Sequence, residues 1–165
     1  MGIKIIICYN IDTKGEGIMT IYLDMDGTFY NLYEIDGWLN ELLTESKNIF
    51  TKGNALYKIE DLQKTFENVS SKYELGIITW TPKECRKTYV GNTAKQKYKW
   101  LRENDLIKYF SKIVMIEYGK EKYKYMKEND ILIDDDMKNI TTAKENNRKA
   151  IHTNGTDLIE ILETI

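Results

Sequence analysis

The stretch T-I-Y-L-D-M-D-G-T-F-Y, residues 20–30, is the part of the sequence that decides the predicted fold. Its β-branched, aromatic and apolar residues predict a short buried strand at 21–23. The strand ends in Asp24 and Asp26, and Gly27 then allows a sharp turn. Carboxylates crowded at a partly desolvated strand end repel each other unless a cation lies between them. Because Mg²⁺ prefers oxygen ligands, this stretch predicts a magnesium site.

Two other interpretations of the same residues exist. An Asp-Gly pair is a common hairpin turn, in which Asp24 would be a solvated strand end. A calcium loop fits less well, because the pattern D-x-[DN]-x-[DN]-G places its glycine sixth, whereas Gly27 stands fourth. These few residues alone leave the choice between a hairpin and a metal site open.

Composition narrows the class of protein. A chain of 165 residues suggests one domain, and a net charge of −2 argues against strong non-specific binding to nucleic acid. No apolar run approaches the ~18 residues of a membrane span, and no signal peptide is evident, so we expect a cytoplasmic protein without membrane contact. Cys8 and Cys85 lack metal-site spacing, and His152 is the only histidine. These features exclude sites that need several histidines.

Residues 1–18 are expected to form an N-terminal extension that is dispensable. A possible strand at 3–9 is followed by a polar stretch, and Met19 stands directly before the acidic strand. The preceding K-G-E-G can be encoded by purines throughout, as in a ribosome-binding site. Residues 19–165 would then form the core domain, and the intact mass of the natively expressed protein tests this hypothesis.

Strands and helices alternate along the rest of the chain. Hydrophobic periodicity predicts strands at 73–79, 112–117, 130–133 and 150–152, and helices at 35–43, 59–69, 94–102, 137–146 and 158–162. Residues 119–129 are interpreted as a solvated helix face. The T-P-K-E at 81–84 reads as a capping box that starts a helix. The alternation predicts an α/β fold with a parallel, doubly wound sheet, whose ligands bind at the carboxyl strand ends.

Polar residues collect at those carboxyl ends. A second acidic run, Asp134-Asp135-Asp136, follows a predicted strand, and only Asp136 is explained as a helix N-cap. The capping box would occupy the hydroxyl of the threonine at 81 and leave that of Thr79 free for a ligand. Lys97 lies on the inward stripe of its helix. Its ammonium group therefore either has an anionic partner or is carried to the surface by the long aliphatic part of the side chain.

With these motifs in view, residues 19–157 resemble the haloacid dehalogenase superfamily of phosphohydrolases. The resemblance rests on L-D-M-D-G-T at 23–28, I-I-T at 77–79, Lys97, and I-L-I-D-D at 131–135, followed by Asn139. The sequences I-T-W-T-P and Q-K-Y-K-W-L resemble the 5'(3')-deoxyribonucleotidase branch. The resemblance implies a Rossmann-like three-layer α/β/α sandwich with a mainly parallel sheet. Its implied strand order is 5-4-1-2-3, counted from the strand at 21–23.

The resemblance also implies a mechanism. Asp24 would attack a phosphate monoester and form an aspartyl-phosphate, while Asp26 would act as general acid and then as general base. Mg²⁺ would be held by Asp24, Asp135 and the backbone carbonyl of Asp26. Thr79 and Lys97 would hold the phosphate oxygens. Asp134 and Asn139 would support the metal ligands from behind.

The sequence departs from this family in its cap, the insertion that selects small substrates. Residues 31–55 predict only one helix and a loop, so the site would be open. A small phosphorylated substrate, in the first place a nucleotide, is expected, with Trp80, Tyr30 and Tyr33 as candidates for stacking a base. An open site also admits a phosphorylated polynucleotide end or a phosphoprotein. A receiver-like phosphoacceptor or a non-catalytic binding protein is the alternative of another class.

Overall fold

The structure is a computed structural model that describes the backbone of residues 4–6 and all of residues 18–165. Of the predicted N-terminal extension, it therefore covers the short strand Lys4–Ile6 and Ile18. The other residues of that extension lie outside the described part of the chain, and its dispensability stays a prediction.

A parallel sheet forms the centre of the fold. Its strands are β1 Lys4–Ile6, β2 Thr20–Leu23, β3 Glu74–Thr81, β4 Phe110–Glu117, β5 Ile131–Asp134 and β6 Lys149–His152. Their order is β1-β4-β3-β2-β5-β6, and all neighbouring pairs are parallel. The five strands from β2 to β6 therefore have the predicted order, which confirms the α/β class and the arrangement of the sheet. β1 adds a further strand beside β4.

Helices cover both faces of the sheet. They are α1 Trp38–Leu43, α2 Ile59–Ser70, α3 Lys87–Glu103, α4 Met137–Glu145 and α5 Leu158–Thr164, with 3-10 turns at Ile49–Thr51, Ile107–Tyr109 and Lys122–Tyr125. Side chains alternate along β2, so that Ile21 and Leu23 join the core under α2, α3 and α5, whereas Tyr22 joins the core under α4. None of the helices in residues 18–165 combines the length and apolarity needed to cross a lipid bilayer.

The predicted capping box at residues 81–84 is wrong. β3 continues two residues beyond Thr79, because Trp80 and Thr81 still pair with β4. The Thr81 hydroxyl donates a hydrogen bond to a carbonyl of that strand, 3.2 Å away. The next helix begins only at Lys87, and no side chain caps it. The ladder to β4 thus outcompetes the local capping motif.

The interpretation of residues 119–129 as a solvated helix is also wrong. The segment contains a single 3-10 turn, Lys122–Tyr125, and Lys122 within it is only 2% exposed. A buried lysine requires a negatively charged partner, because an unpaired charge is strongly destabilised away from water. The segment therefore belongs to the site at the carboxyl edge of the sheet.

Candidate active site

Residues from three adjacent strands meet at the carboxyl edge of the sheet. β2 lies between β3 and β5, so the chain leaving β2 brings Asp24 next to Asp134 at the end of β5. The backbone N–H of Asp24 continues the ladder by donating to the carbonyl of Ile133 at 2.9 Å. This pairing explains how two acidic runs that are 110 positions apart in the sequence converge.

Three of these carboxylates are crowded together. Asp24, Asp134 and Asp135 each bring one oxygen within 4.8 Å of the others. Burial, followed by repulsion from Asp24 and Asp134, raises the pKa of Asp135 to about 7. Burial also raises the pKa of Asp24, although the attraction of Lys122 opposes this shift. The group therefore carries excess negative charge, and its donor atoms are hard carboxylate oxygens of the kind that Mg²⁺ takes.

Lys122 is a residue of the candidate site that the sequence analysis missed. Its Nζ lies 2.7 Å from Asp24 Oδ1 and 2.8 Å from Asp134 Oδ2. Burial disfavours its charge, but the attraction of the two carboxylates is stronger, and the pKa of Lys122 is raised. A count of charges could have signalled it, because four aspartates were assigned to the site against the single cation Lys97. Nothing in the local pattern marks which lysine of K-E-K-Y-K is buried.

Lys97 has the anionic partner expected of an inward lysine. Its side chain is completely buried, and its Nζ lies 2.5 Å from Asp26 Oδ2. The same ammonium group donates to Thr79 Oγ1 at 2.9 Å and to the backbone carbonyl of Trp80 at 2.8 Å. A lysine has three N–H donors, so these contacts use all of them. Lys97 thus holds Asp26 and Thr79 in place, and a direct bond to phosphate would require it to give one contact up.

Asp26 keeps one oxygen uncommitted. Oδ2 accepts from Lys97, whereas Oδ1 is buried and has no hydrogen-bond partner among the described residues. Burial raises the pKa of the Asp26 carboxyl, and the nearby Lys97 offsets this only in part. A carboxyl group with a raised pKa and a free oxygen at the edge of a cavity is suited to exchange a proton.

Asp134 and Asp135 occupy different environments. Asp134 is fully buried, and it accepts hydrogen bonds from Lys122, from Asn139 Nδ2 at 3.0 Å and from the backbone N–H of Asp136 at 2.9 Å. Asp135 is half-buried and borders the cavity. Asp135 is thus the more accessible of the two carboxylates, and its assignment as the metal ligand with Asp134 behind it stays a prediction. Asp136 caps α4 by accepting from Lys138, which confirms its predicted role.

Gly27 allows the turn to pass close to Asp135. Its φ is +78°, in the left-handed region that favours glycine. A Cβ at this position would lie 2.2 Å from Asp135 Oδ2, which no real contact permits. The glycine is therefore required both for the backbone conformation and for the position of the carboxylate.

The three aromatic residues predicted to stack a substrate have different surroundings. Tyr33 and Trp80 line a cavity of about 630 Å³ above the aspartates. Tyr30 is completely buried, its hydroxyl accepts a hydrogen bond from the backbone N–H of Gly53, and its ring packs against Trp100. The prediction for Tyr30 is wrong, because core packing encloses its ring.

A comparison of this chain with protein-family models and with curated protein sequences gives no match.

Proposed function

We propose that this chain is a Mg²⁺-dependent phosphatase that hydrolyses phosphate monoesters through an aspartyl-phosphate on Asp24. The observation that carries the proposal is the convergence of Asp24, Asp134 and Asp135, with the buried Lys122 ammonium between the first two. A carboxylate nucleophile beside fixed positive charge is what phosphoryl transfer requires, because catalysis of this reaction consists largely of positioning and electrostatic stabilisation.

The residues present fit a magnesium ion. Asp24 and Asp135 would hold it through carboxylate oxygens, and the resemblance adds the backbone carbonyl of Asp26. Burial, and after it the negative charge of Asp24 and Asp134, raises the pKa of Asp135 although Lys122 opposes the shift. When bound, Mg²⁺ would neutralise the phosphoryl oxygens and the surrounding carboxylates.

The side chains then perform the two steps. One carboxylate oxygen of Asp24 attacks phosphorus, the bond from phosphorus to the leaving oxygen breaks, and the leaving oxygen takes a proton from Asp26 Oδ1. A water molecule next attacks the phosphorus of the aspartyl-phosphate and gives a proton to Asp26, and the bond from phosphorus to the Asp24 oxygen breaks. Inorganic phosphate leaves, and both aspartates return to their starting state.

The two buried lysines have different roles in this proposal. Lys122 uses two of its three donors on Asp24 and Asp134, and its Nζ lies 4.7 Å from the centroid of the Trp80 ring. We propose that its third N–H turns from this ring to a phosphoryl oxygen. Lys97 holds the Asp26 carboxyl through Oδ2 and leaves Oδ1 without a hydrogen-bond partner among the described residues. This assignment moves the phosphate-binding role expected for Lys97 largely to Lys122.

We further propose that the chain is a distant member of the haloacid dehalogenase superfamily, acting in the cytoplasm on a small phosphorylated substrate such as a nucleotide. The order of the five core strands and the four acidic positions support this assignment. A receiver-like or non-catalytic role is the opposing hypothesis, and turnover distinguishes the two.

The test is hydrolysis of p-nitrophenyl phosphate with MgCl₂ and with EDTA. We expect phosphatase activity only with Mg²⁺, and we expect the Asp24→Asn variant to lose this activity. The control variant Asp61→Asn, which replaces an exposed aspartate on α2, should keep the activity. Mass spectrometry after acid quenching should find one phosphoryl group on the wild-type protein and none on Asp24→Asn. Full activity in Asp24→Asn would refute the proposed nucleophile.

A further inference from the structure

The cavity above the aspartates is larger than a phosphate group requires. It has a volume of about 630 Å³ and opens directly onto Asp24, Asp26 and Asp135. Cavities of roughly 300–1,000 Å³ enclose whole small-molecule ligands. Most of this volume is therefore available to the part of the substrate that leaves with the ester oxygen.

Aromatic pairs form much of the cavity wall. Tyr33 and Trp38, from the segment between β2 and α2, meet edge to face with ring centroids 5.3 Å apart. Trp80 and Tyr118, at the ends of β3 and β4, meet in the same way at 4.6 Å. The wall also contains five aliphatic and aromatic side chains, namely Leu32, Leu39, Leu42, Leu43 and Phe50.

Several polar groups in the wall are already engaged within the protein. Trp80 Nε1 donates to a backbone carbonyl at 3.1 Å, and Thr81 Oγ1 donates to another at 3.2 Å. The Glu45 carboxylate accepts from a backbone N–H at 2.9 Å. Lys83 and Glu84 are exposed and form an ion pair with each other. The Tyr33 and Tyr118 hydroxyls and the Trp38 indole N–H make no hydrogen bond within the described residues, but each belongs to a ring whose apolar area far exceeds that of its single polar atom.

Helix α1 contributes apolar surface that the protein leaves uncovered. None of its six residues is buried, and Leu39 and Leu43, one turn apart, are 52% and 75% exposed. Both line the cavity. Exposed apolar side chains grouped beside a reaction centre are typical of a surface that a ligand covers.

We propose that the cavity binds a flat aromatic portion of the leaving group and selects it by apolar contact rather than by hydrogen bonds. This inference rests on the phosphatase function proposed above. The substrate class is then a phosphate monoester of an alcohol that bears an aromatic group. A nucleobase or a simple aryl ring meets this requirement equally, and the wall does not distinguish one base from another.

Primary alkyl phosphates test the inference without changing the reacting bond. Ethyl phosphate and 2-phenylethyl phosphate both release a primary alkoxide, so a difference in kcat/KM reports contact with the cavity. We expect 2-phenylethyl phosphate to be favoured by at least about ten-fold, mainly through KM. We expect the kcat/KM values of the four 2'-deoxynucleoside 5'-monophosphates to agree within about ten-fold. Bases that are held by apolar contact do not differ by a hydrogen bond to the protein, so their binding free energies should differ little.

The α1 leucines provide the matched variants. The double variant Leu39→Ser/Leu43→Ser changes only exposed side chains, so it should fold normally, and its kcat/KM for 2-phenylethyl phosphate should fall towards its kcat/KM for ethyl phosphate. Met137→Ser removes a similarly exposed apolar side chain, 54% exposed at the start of α4, that does not line the cavity. It should retain the preference.

Binding separates a failure of this inference from a failure of the proposed function. Phosphonate analogues of the two alkyl phosphates can be titrated into Asp24→Asn, with the fluorescence of Trp38 and Trp80 as the signal. Tighter binding of the phenyl analogue without turnover of any ester would overturn the phosphatase and support the cavity assignment. Turnover with equal kcat/KM for both alkyl esters, or a discrimination among bases far above ten-fold, would overturn the cavity assignment alone.

Discussion

Replacing Lys122 with methionine tests the electrostatic arrangement of the site. The Lys122 ammonium contacts Asp24 at 2.7 Å and Asp134 at 2.8 Å, and the three side chains are at most 8% exposed. Removing the cation leaves two buried carboxylates without their partner, a change that costs about 3–5 kcal/mol. In a domain of this size each kcal/mol lowers Tm by about 2–4 °C. We therefore expect Tm to fall by roughly 6–20 °C.

The assay is thermal and urea unfolding by circular dichroism at pH 7.5 in EDTA. Lys124→Met is the matched control, because this lysine lies on the same 3-10 turn but is exposed, and its ion pair with Glu121 lies at the surface. We expect the control to unfold like the wild type. Since folded domains are stable by only about 5–15 kcal/mol, the loss in Lys122→Met should be easily measured.

Magnesium provides a second measurement on the same proteins. Four carboxylates face two ammonium groups in the wild-type site and one in Lys122→Met, so a divalent cation should stabilise the variant more than the wild type. An equal Tm for Lys122→Met and Lys124→Met in EDTA would refute the reasoning, because it would mean that the Lys122 ammonium does not compensate buried charge.

Four further predictions follow from the site. Asp24→Asn should lower kcat by at least about 10³-fold while its circular dichroism spectrum stays unchanged, and a smaller loss would exclude Asp24 as nucleophile. Lys97→Met should lower the rate of hydrolysis of esters with poor leaving groups by at least about ten-fold more than that of p-nitrophenyl phosphate, because Lys97 orients the general acid. Equal losses of rate for both kinds of ester would contradict that role. Gly27→Ala should weaken Mg²⁺ binding, measured by calorimetry. Gly37→Ala should not weaken it, because Gly37 is also at positive φ but no atom of the described residues lies within 4 Å of the added Cβ. The raised pKa of Asp135 means that the folded protein binds more protons than the unfolded chain between its ordinary pKa and about 7. Without metal, Tm should therefore fall as pH rises through this range, and the Mg²⁺-induced rise in Tm should be larger at pH 8 than at pH 5.5; the reverse order would contradict it.

Much of the fold follows from local sequence signals. Short apolar runs ending in acid mark β2 and β5, and helical periodicity marks α2 and α5. Because parallel strands bring their carboxyl ends to one edge, the convergence of Asp24 with Asp134 and Asp135 could be predicted without coordinates. The inward position of Lys97 could likewise be predicted, since helical spacing alone places it on the buried stripe.

Other features depended on contacts between distant segments. The capping box at Thr81 was locally convincing, but pairing with β4 kept that residue in a strand. Tyr30 sits beside the acidic turn in sequence, yet Trp100 and Phe50 enclose its ring. Lys122 lies among lysines of similar local context, and only the packing of its turn against β5 selects it for burial.

The sequence by itself determined the class of fold and the edge at which the acidic residues gather, because these follow from periodicity and from the geometry of parallel sheets. The order of the core strands was predicted from the resemblance to the haloacid dehalogenase superfamily. Tertiary structure alone decided which lysine balances which aspartate and what forms the cavity wall. Those outcomes depend on the free energy of burying specific charges and rings against partners far away in the chain, and no local pattern encodes that energy.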